Sequence, residues 1–235
     1  MKKTYSLILL LIVILIIFSG YKLLSKEKES NQNEQTTESE TSSLKTYNNP
    51  EVGFSFQYPS EMIFLNEDQY NRDPEKTYLK VDLKKIGEQE KPMDLDKEEE
   101  MNNIEVLNRG EFGITPDFSL PSSQKVKSVG FLFAQDYLVL SRFEICNVTL
   151  ERKLLFYFNN QQITITSFAP LNKLKETMSE YFTINNENCG QEKIWDFEKQ
   201  DQFYNKLTNQ NGSPEIQKWF NDFDQLSEAI IFAHR

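Results

Sequence analysis

The clearest pattern of apolar and polar positions lies in the middle of the chain. Residues 126–133, 137–146, 150–158 and 161–168 are rich in Val, Leu, Ile, Phe and Tyr, with short polar breaks between them. This predicts four consecutive antiparallel strands. Asn159-Asn160 between the last two predicts a tight turn, because Asn tolerates positive φ better than most residues. Leu154, Phe156 and Phe158 share one face of the third strand, and Ile163 and Ile165 share one face of the fourth. Leu155 and Tyr157 place apolar groups on the opposite face. A sheet that is apolar on both faces needs cover on both, and helices are the expected cover.

The same alternation predicts two earlier strands. Phe54, Phe56 and Tyr58 alternate with Ser55 and Gln57 until Pro59, after a turn-rich entry from Tyr47 to Gly53. Over 78–84, Leu79, Val81 and Leu83 alternate with Lys80, Asp82 and Lys84. Residues 93–107, MDLDKEEEMNNIEVL, predict a helix with Asp94 as N-cap and with Leu95, Met101, Ile104 and Leu107 turned inward. Residues 109–123 carry Gly110, Gly113, Pro116 and Pro121 and read as a loop. Beyond Pro170, Leu171, Leu174, Met178 and Tyr181 follow helical spacing, and a second helix is predicted over 195–207. Ser213-Pro214-Glu215 is a strong helix start, with Ser as N-cap, Pro at the first position and an acid in the first turn. Ile216, Trp219, Phe220 and Phe223 mark the buried face of that helix, and Ile230, Ile231 and Phe232 predict a short closing strand.

The N-terminus departs from all of this. Residues 7–18, LILLLIVILIIF, contain no charge, polar group, Gly or Pro, and Lys2 and Lys3 precede them. The strict run spans about 18 Å as a helix, short of a hydrocarbon core of about 30 Å. Extended over residues 5–24 it reaches about 30 Å, with Tyr5 and Tyr21 at the two interfaces and Lys22 snorkelling outward. A cut after Gly20 puts Phe18 at −3 and a cut after Ser25 puts Leu23 there, both poor for signal peptidase. The expectation is an uncleaved signal anchor over residues 1–24 with the folded domain outside the cytoplasm; a cleaved, secreted chain is the alternative. Residues 25–46 hold Ser, Thr, Glu, Asn and Gln with Leu44 as the one apolar residue, and read as a disordered linker. Its coil length averages about 25 Å. Residues 47–235 are then one globular domain.

Composition narrows the function classes. Aromatic residues make up 13% of the chain, too many for a disordered protein. The net charge of −10 and the lack of a basic stripe exclude nucleic acid as an expected partner. With one histidine, His234, and two cysteines, the chain cannot build a Cys/His zinc finger, and no metal or other cofactor is expected. Asp94, Asp96 and Glu98 lack the glycine and spacing of a calcium loop, so they read as a solvated helix face. There is no Walker loop, Rossmann glycine pattern, Gly-x-Ser-x-Gly or His-Glu-x-x-His. The firmest chemical expectation is a disulfide between Cys146 and Cys189, an even pair in an exported domain, worth up to about 4 kcal/mol. Two buried free thiols are the alternative. The sequons at Asn147 and Asn211 matter only in a eukaryotic secretory route and read as chance.

The opening Tyr47-x-Asn-Pro-Glu-Val-Gly-Phe-Ser-Phe-Gln-Tyr-Pro59 resembles the N-P-x-x-G-F-x-F-x-Y-P start of PsbP-like domains, and residues 223–232 resemble that family's last helix running into its last strand. The resemblance covers most of residues 46–235, with an insertion around 185–211. It implies an α/β (α+β) fold, an α-β-α sandwich around a mainly antiparallel sheet, and a largely non-catalytic role in binding or assembly. No ligand or metal residue of the family carries over to this chain, and nothing supports a photosynthetic role. The expectation is therefore a non-enzymatic module, anchored to the membrane by its N-terminal helix, that binds an envelope protein partner. The alternative is an envelope glycan hydrolase using two carboxylates within about 5–9.5 Å of each other.

Overall fold

The computed structural model describes residues 43–65, 72–86, 98, 120–143, 147–184 and 191–233, with the backbone alone at 141–143 and 147. Its centre is a six-stranded sheet in the order β3-β4-β8-β7-β6-β5, formed by β3 (Ile63–Phe64), β4 (Tyr78–Lys85), β5 (Lys125–Val129), β6 (Leu132–Phe143), β7 (Asn147–Phe158) and β8 (Gln161–Phe168). Every pairing in it is antiparallel except β3 with β4. A second sheet joins β1 (Leu44–Asn49), β2 (Phe54–Pro59) and β11 (Ile231–Phe232) in the order β1-β2-β11. A small ribbon pairs β9 (Phe182–Ile184) with β10 (Lys193–Trp195). Among the described residues three α-helices of more than one turn complete the fold: α1 (Leu171–Thr177), α2 (Gln200–Thr208) and α3 (Pro214–Glu228). The architecture is thus mixed α+β with a mainly antiparallel sheet, as the alternation and the helical spacings predict. The first strand starts at Leu44, ahead of the Tyr47 opening read from the sequence.

Turn chemistry sets the register. Asn159 and Asn160 take φ of 52° and 59° between β7 and β8, so the predicted hairpin turn is present. The break between β5 and β6 lies elsewhere than expected. Gly130, at φ 59°, makes the turn, and β6 then runs without interruption from Leu132 through residues 134–136, which the sequence marks as a gap. Gly130 is also needed for space: a Cβ there would lie 3.0 Å from the Phe232 ring.

Strand alternation divides the six-stranded sheet into two faces. The front face carries Ala134, Asp136 and Leu138 from β6, Leu150, Arg152, Leu154 and Phe156 from β7, and Ile163 and Ile165 from β8. One half of it packs against Phe54, Phe56 and Phe232 of the second sheet and Phe223 and Leu226 of α3. Phe54 and Phe232 both meet Phe156 edge-on, at 6.0 Å and 5.8 Å. The other half packs Leu138, Leu140 and Leu150 against Leu174 of α1, Phe203 and Leu207 of α2, and Ile216, Trp219 and Phe220 of α3. Each fully buried Leu or Phe side chain here contributes about 1.5–3 kcal/mol. Helices α1, α2 and α3 all lie on this one face.

Two helix expectations are adjusted. The helix predicted from residue 195 starts at Gln200, and Trp195 belongs to β10, stacked on Phe182 at 4.5 Å with its indole N–H donating to the Thr149 carbonyl at 3.1 Å. Ser213 does occupy the N-cap of α3, with Pro214 behind it, but its hydroxyl makes no cap bond; it accepts from Thr177 Oγ1 at 2.8 Å and ties α3 to α1. Among the described residues no helix is long and apolar enough to cross a membrane, and the anchor read over residues 5–24 lies outside them.

Candidate functional site

The largest concentration of buried charge sits where the two halves of the front face meet. Arg152 stands in the apolar row between Leu150 and Leu154, and its side chain is 1% exposed. Asp136, two residues before Leu138 on β6, is 2% exposed. The two side chains make a fork: Nε donates to Asp136 Oδ1 at 2.9 Å and Nη2 to Oδ2 at 2.6 Å. The other donors reach α3, with Nη1 on the Phe220 carbonyl at 2.7 Å and Nη2 on Asp224 Oδ1 at 2.7 Å. The guanidinium also lies over the Phe220 ring, 4.2 Å from its centroid. Lys127 continues the network to Asp224 at 3.1 Å and to the Ser227 hydroxyl at 2.5 Å, and Lys125 lies 3.4 Å from Asp136.

Electrostatics follow from this geometry. Burial alone would lower the Arg152 pKa, but the hydrogen bonds and charges of Asp136 and Asp224 outweigh it and hold the group above its ordinary value. Burial pushes Asp224 up, while Arg152 and Lys127 pull it further down, so it titrates below the usual carboxylate range. Burial, with Asp136 next, raises the Tyr204 hydroxyl at the edge of the cluster. Ser123, Lys125, Asp136, Tyr137, Leu138, Arg152, Tyr204 and Phe220 line a crevice here that is too tight to admit a water-sized sphere. The arrangement holds α3 in one register across the junction of the two half-cores; it has no room for a substrate.

A second cluster uses the same helix. Lys218 Nζ lies 2.6 Å from Glu61 Oε1 and 2.6 Å from Asp222 Oδ2, so one ammonium spans an exposed carboxylate and a nearly buried one. Burial raises the Asp222 pKa against the pull of Lys218. Burial also acts upward on Glu61, but its bond to Lys218 lowers it overall. Two close carboxylates with opposite shifts are the raw material of glycosidase chemistry, which needs one acid protonated and the other ionised. Here the shared cation occupies the position between them where a glycosidic oxygen would have to enter.

The residues singled out in the sequence fall as follows. Cys146 and Cys189, the expected disulfide, lie outside the described residues, as do His234, Asp94 and Asp96. Glu98 is helical and exposed, as a solvated helix face requires. Among the described residues no group of three or more His, Cys, Asp or Glu side chains is placed to hold a metal ion. The Asp136–Arg152–Asp224 cluster escaped the sequence reading, although one signal was present: an arginine on the inward phase of a strand, flanked by leucines on the same face. A comparison with protein-family models and with curated proteins finds no match to this chain.

Proposed function

We propose that the chain is a non-catalytic binding or assembly module of the cell envelope, anchored by its N-terminal segment and folded outside the cytoplasm as a PsbP-like α-β-α domain. The apolar run at 7–18 and the polar stretch after it support the anchor and the tether. The resemblance of residues 47–59 and 223–232 to PsbP-like domains supports the fold reading; the first stretch holds β2 and the second runs from α3 into β11. The observation that carries the reading is the use of charge. Both carboxylate pairs described above are spanned by a cation, which suits rigidity rather than turnover.

The surface offers a place for a partner. Phe131 and Ile231 are 58% and 67% exposed, and the Phe131 ring lies 5.1 Å from Phe232. This apolar tip lies at the Asn49–Phe54 end of the β1–β2 pair, opposite the end where Leu44 begins the strand. An exposed aromatic ring such as Phe131 is a common anchor of contact surfaces. A photo-crosslinker in place of Phe131 in the full chain, activated in intact cells, is expected to capture one envelope protein reproducibly. Repeated failure to capture a partner would count against the module. Sugar release from cell-wall glycans by the purified chain, abolished by Glu61→Gln, would replace the reading with the hydrolase alternative.

A further inference from the structure

The chain contains one Asn-Gly step, Asn211-Gly212, and it lies in the loop that joins α2 to α3. The end of α2 fixes its place. Gln210, at φ 58°, is left-handed, and its N–H donates to the Leu207 carbonyl at 3.1 Å. The Asn211 N–H donates to the Lys206 carbonyl at 2.9 Å. These two bonds make a Schellman cap, and they leave Asn211 exposed just past the helix end.

Glycine at 212 is required by packing. A Cβ there would come within 2.8 Å of both Gln217 Oε1 and Leu207 Cδ2, and Leu207 is fully buried. The fold therefore sets a residue without a side chain directly after an exposed asparagine. In that arrangement the next backbone nitrogen reaches the asparagine amide carbon with the least steric hindrance. The same nitrogen is engaged, however. Gly212 N–H donates to Gln217 Oε1 at 3.0 Å. Gln217 is 9% exposed, and its Nε2 donates to the Leu207 carbonyl at 3.0 Å and to Asn221 Oδ1 at 3.1 Å. Asn221 in turn exchanges amide bonds with Gln210 at 3.0 Å and 3.3 Å. Since the Gly212 N–H can only donate, the Gln217 oxygen has to face it, and a flipped amide would set donor against donor.

We propose that Asn211 is a site of self-modification by deamidation, and that Gln217 restrains the reaction in the folded domain. In the reaction the Gly212 nitrogen gives its proton to solvent and forms a bond to Asn211 Cγ. The Cγ–Nδ2 bond breaks, Nδ2 takes up a proton, and ammonia leaves. The succinimide ring that remains is opened by water at either carbonyl, giving aspartate or isoaspartate. Water is the only co-reactant, and nothing is oxidised or reduced. While its N–H is held by Gln217, the Gly212 nitrogen can neither release its proton to solvent nor turn onto Cγ. Local opening of the α2–α3 joint frees it, so the modified residue records how often that joint opens. Either product adds a negative charge just before α3. The isoaspartyl form also adds a methylene to the backbone ahead of Ser213, whose hydroxyl ties α3 to Thr177 of α1.

The test follows the peptide that holds Asn211 by mass spectrometry, after timed incubation of the full chain in detergent micelles at neutral pH. In guanidinium chloride the peptide is expected to convert to two products of equal mass, aspartyl and isoaspartyl, which chromatography separates. In the folded chain the same conversion is expected to be slower. Gln217→Leu removes the acceptor and is expected to speed the folded-state conversion roughly two- to tenfold, the range one hydrogen bond spans. Gln217→Glu keeps an acceptor oxygen and is expected to stay near the unsubstituted rate. Far-ultraviolet circular dichroism checks that each variant is folded. No conversion in denaturant, or an aspartyl product alone, would overturn the modification site. An unchanged rate in folded Gln217→Leu, or a Gln217→Glu rate as fast as that of Gln217→Leu, would overturn the restraint. The comparison of folded with denatured chain needs no variant, and equal rates there would overturn it as well.

Discussion

Helix α3 carries two carboxylates two residues apart that live in opposite electrostatic worlds. Asp224 faces the junction of the two half-cores and shares Arg152 with Asp136, and the arginine and its first partner are 1% and 2% exposed. Asp222, itself 9% exposed, is held instead by Lys218, which is 54% exposed and also holds the exposed Glu61. Both clusters satisfy the same geometric definition of a salt bridge. They differ in what happens when one partner is removed. Water already reaches Lys218 and its partner Glu61, whereas Arg152 is 1% exposed and has no water to take its place. Counting ion pairs would give the two equal weight; burial decides that they are unequal.

The sharpest way to break the comparison is Arg152→Met. It leaves Asp136 charged and buried with Lys125, 3.4 Å away, as its remaining cation, and the expected loss is about 3–5 kcal/mol in denaturant unfolding of the folded domain. Adding Asp136→Leu to it should recover most of that loss, because the desolvated charge is then gone from both sides. A loss below about 1 kcal/mol for Arg152→Met would show that the cluster is no more than a surface pair in effect. Asp224→Asn comes next. Asp224 is 34% exposed and Arg152 keeps its fork to Asp136, so the expected loss is about 1–2 kcal/mol, read as a shift in the unfolding midpoint at constant slope.

The contrast also explains what the sequence makes visible. Strands β2, β4, β7 and β8 announce themselves because Phe54–Tyr58, Leu79–Leu83, Leu154–Phe158 and Ile163–Ile165 alternate in step with the pleat. Strand β6 is split in the reading because Gln135 and Asp136 look like a polar break, yet Asp136 points inward to Arg152. A buried ion pair defeats hydrophobic patterning at both of its ends, since each partner is scored as solvent-facing. Trp195 misleads for another reason. Its neighbours Phe197, Phe203 and Leu207 suggest one helix, but the strand conformation of β10 comes from pairing with β9, a contact no local window contains. The Lys218 cluster is only half legible: Lys218 and Asp222 are four apart on α3, while Glu61 comes from the other end of the domain's sequence.

Lys218→Met is the complementary change at the surface. Glu61 can turn to water, but Asp222, its side chain 12% exposed, loses its cation, so the expected loss is about 1–2 kcal/mol. A loss as large as that of Arg152→Met would erase the distinction between the two clusters.

The smallest and most specific effect is in titration. Carboxyl-carbon resonances of the folded domain should place Asp224 below and Asp222 above the free-aspartate value of about 3.9. The signs for stability then oppose each other. Asp224 has a depressed folded pKa, so its contribution is fully present above the unfolded value and is lost as pH falls through the lower, folded one. Asp222 has a raised folded pKa, so its charged form is unfavourable above that value and the penalty lifts as pH falls through it. In Lys218→Met both Asp222 and Glu61 lose the ammonium that favours their charged forms, and both should titrate higher than before, while Asp224 should not move. If Asp224 moved with them, the two clusters would be one coupled network along α3, and the boundary drawn between them at the surface of the core would have to be withdrawn.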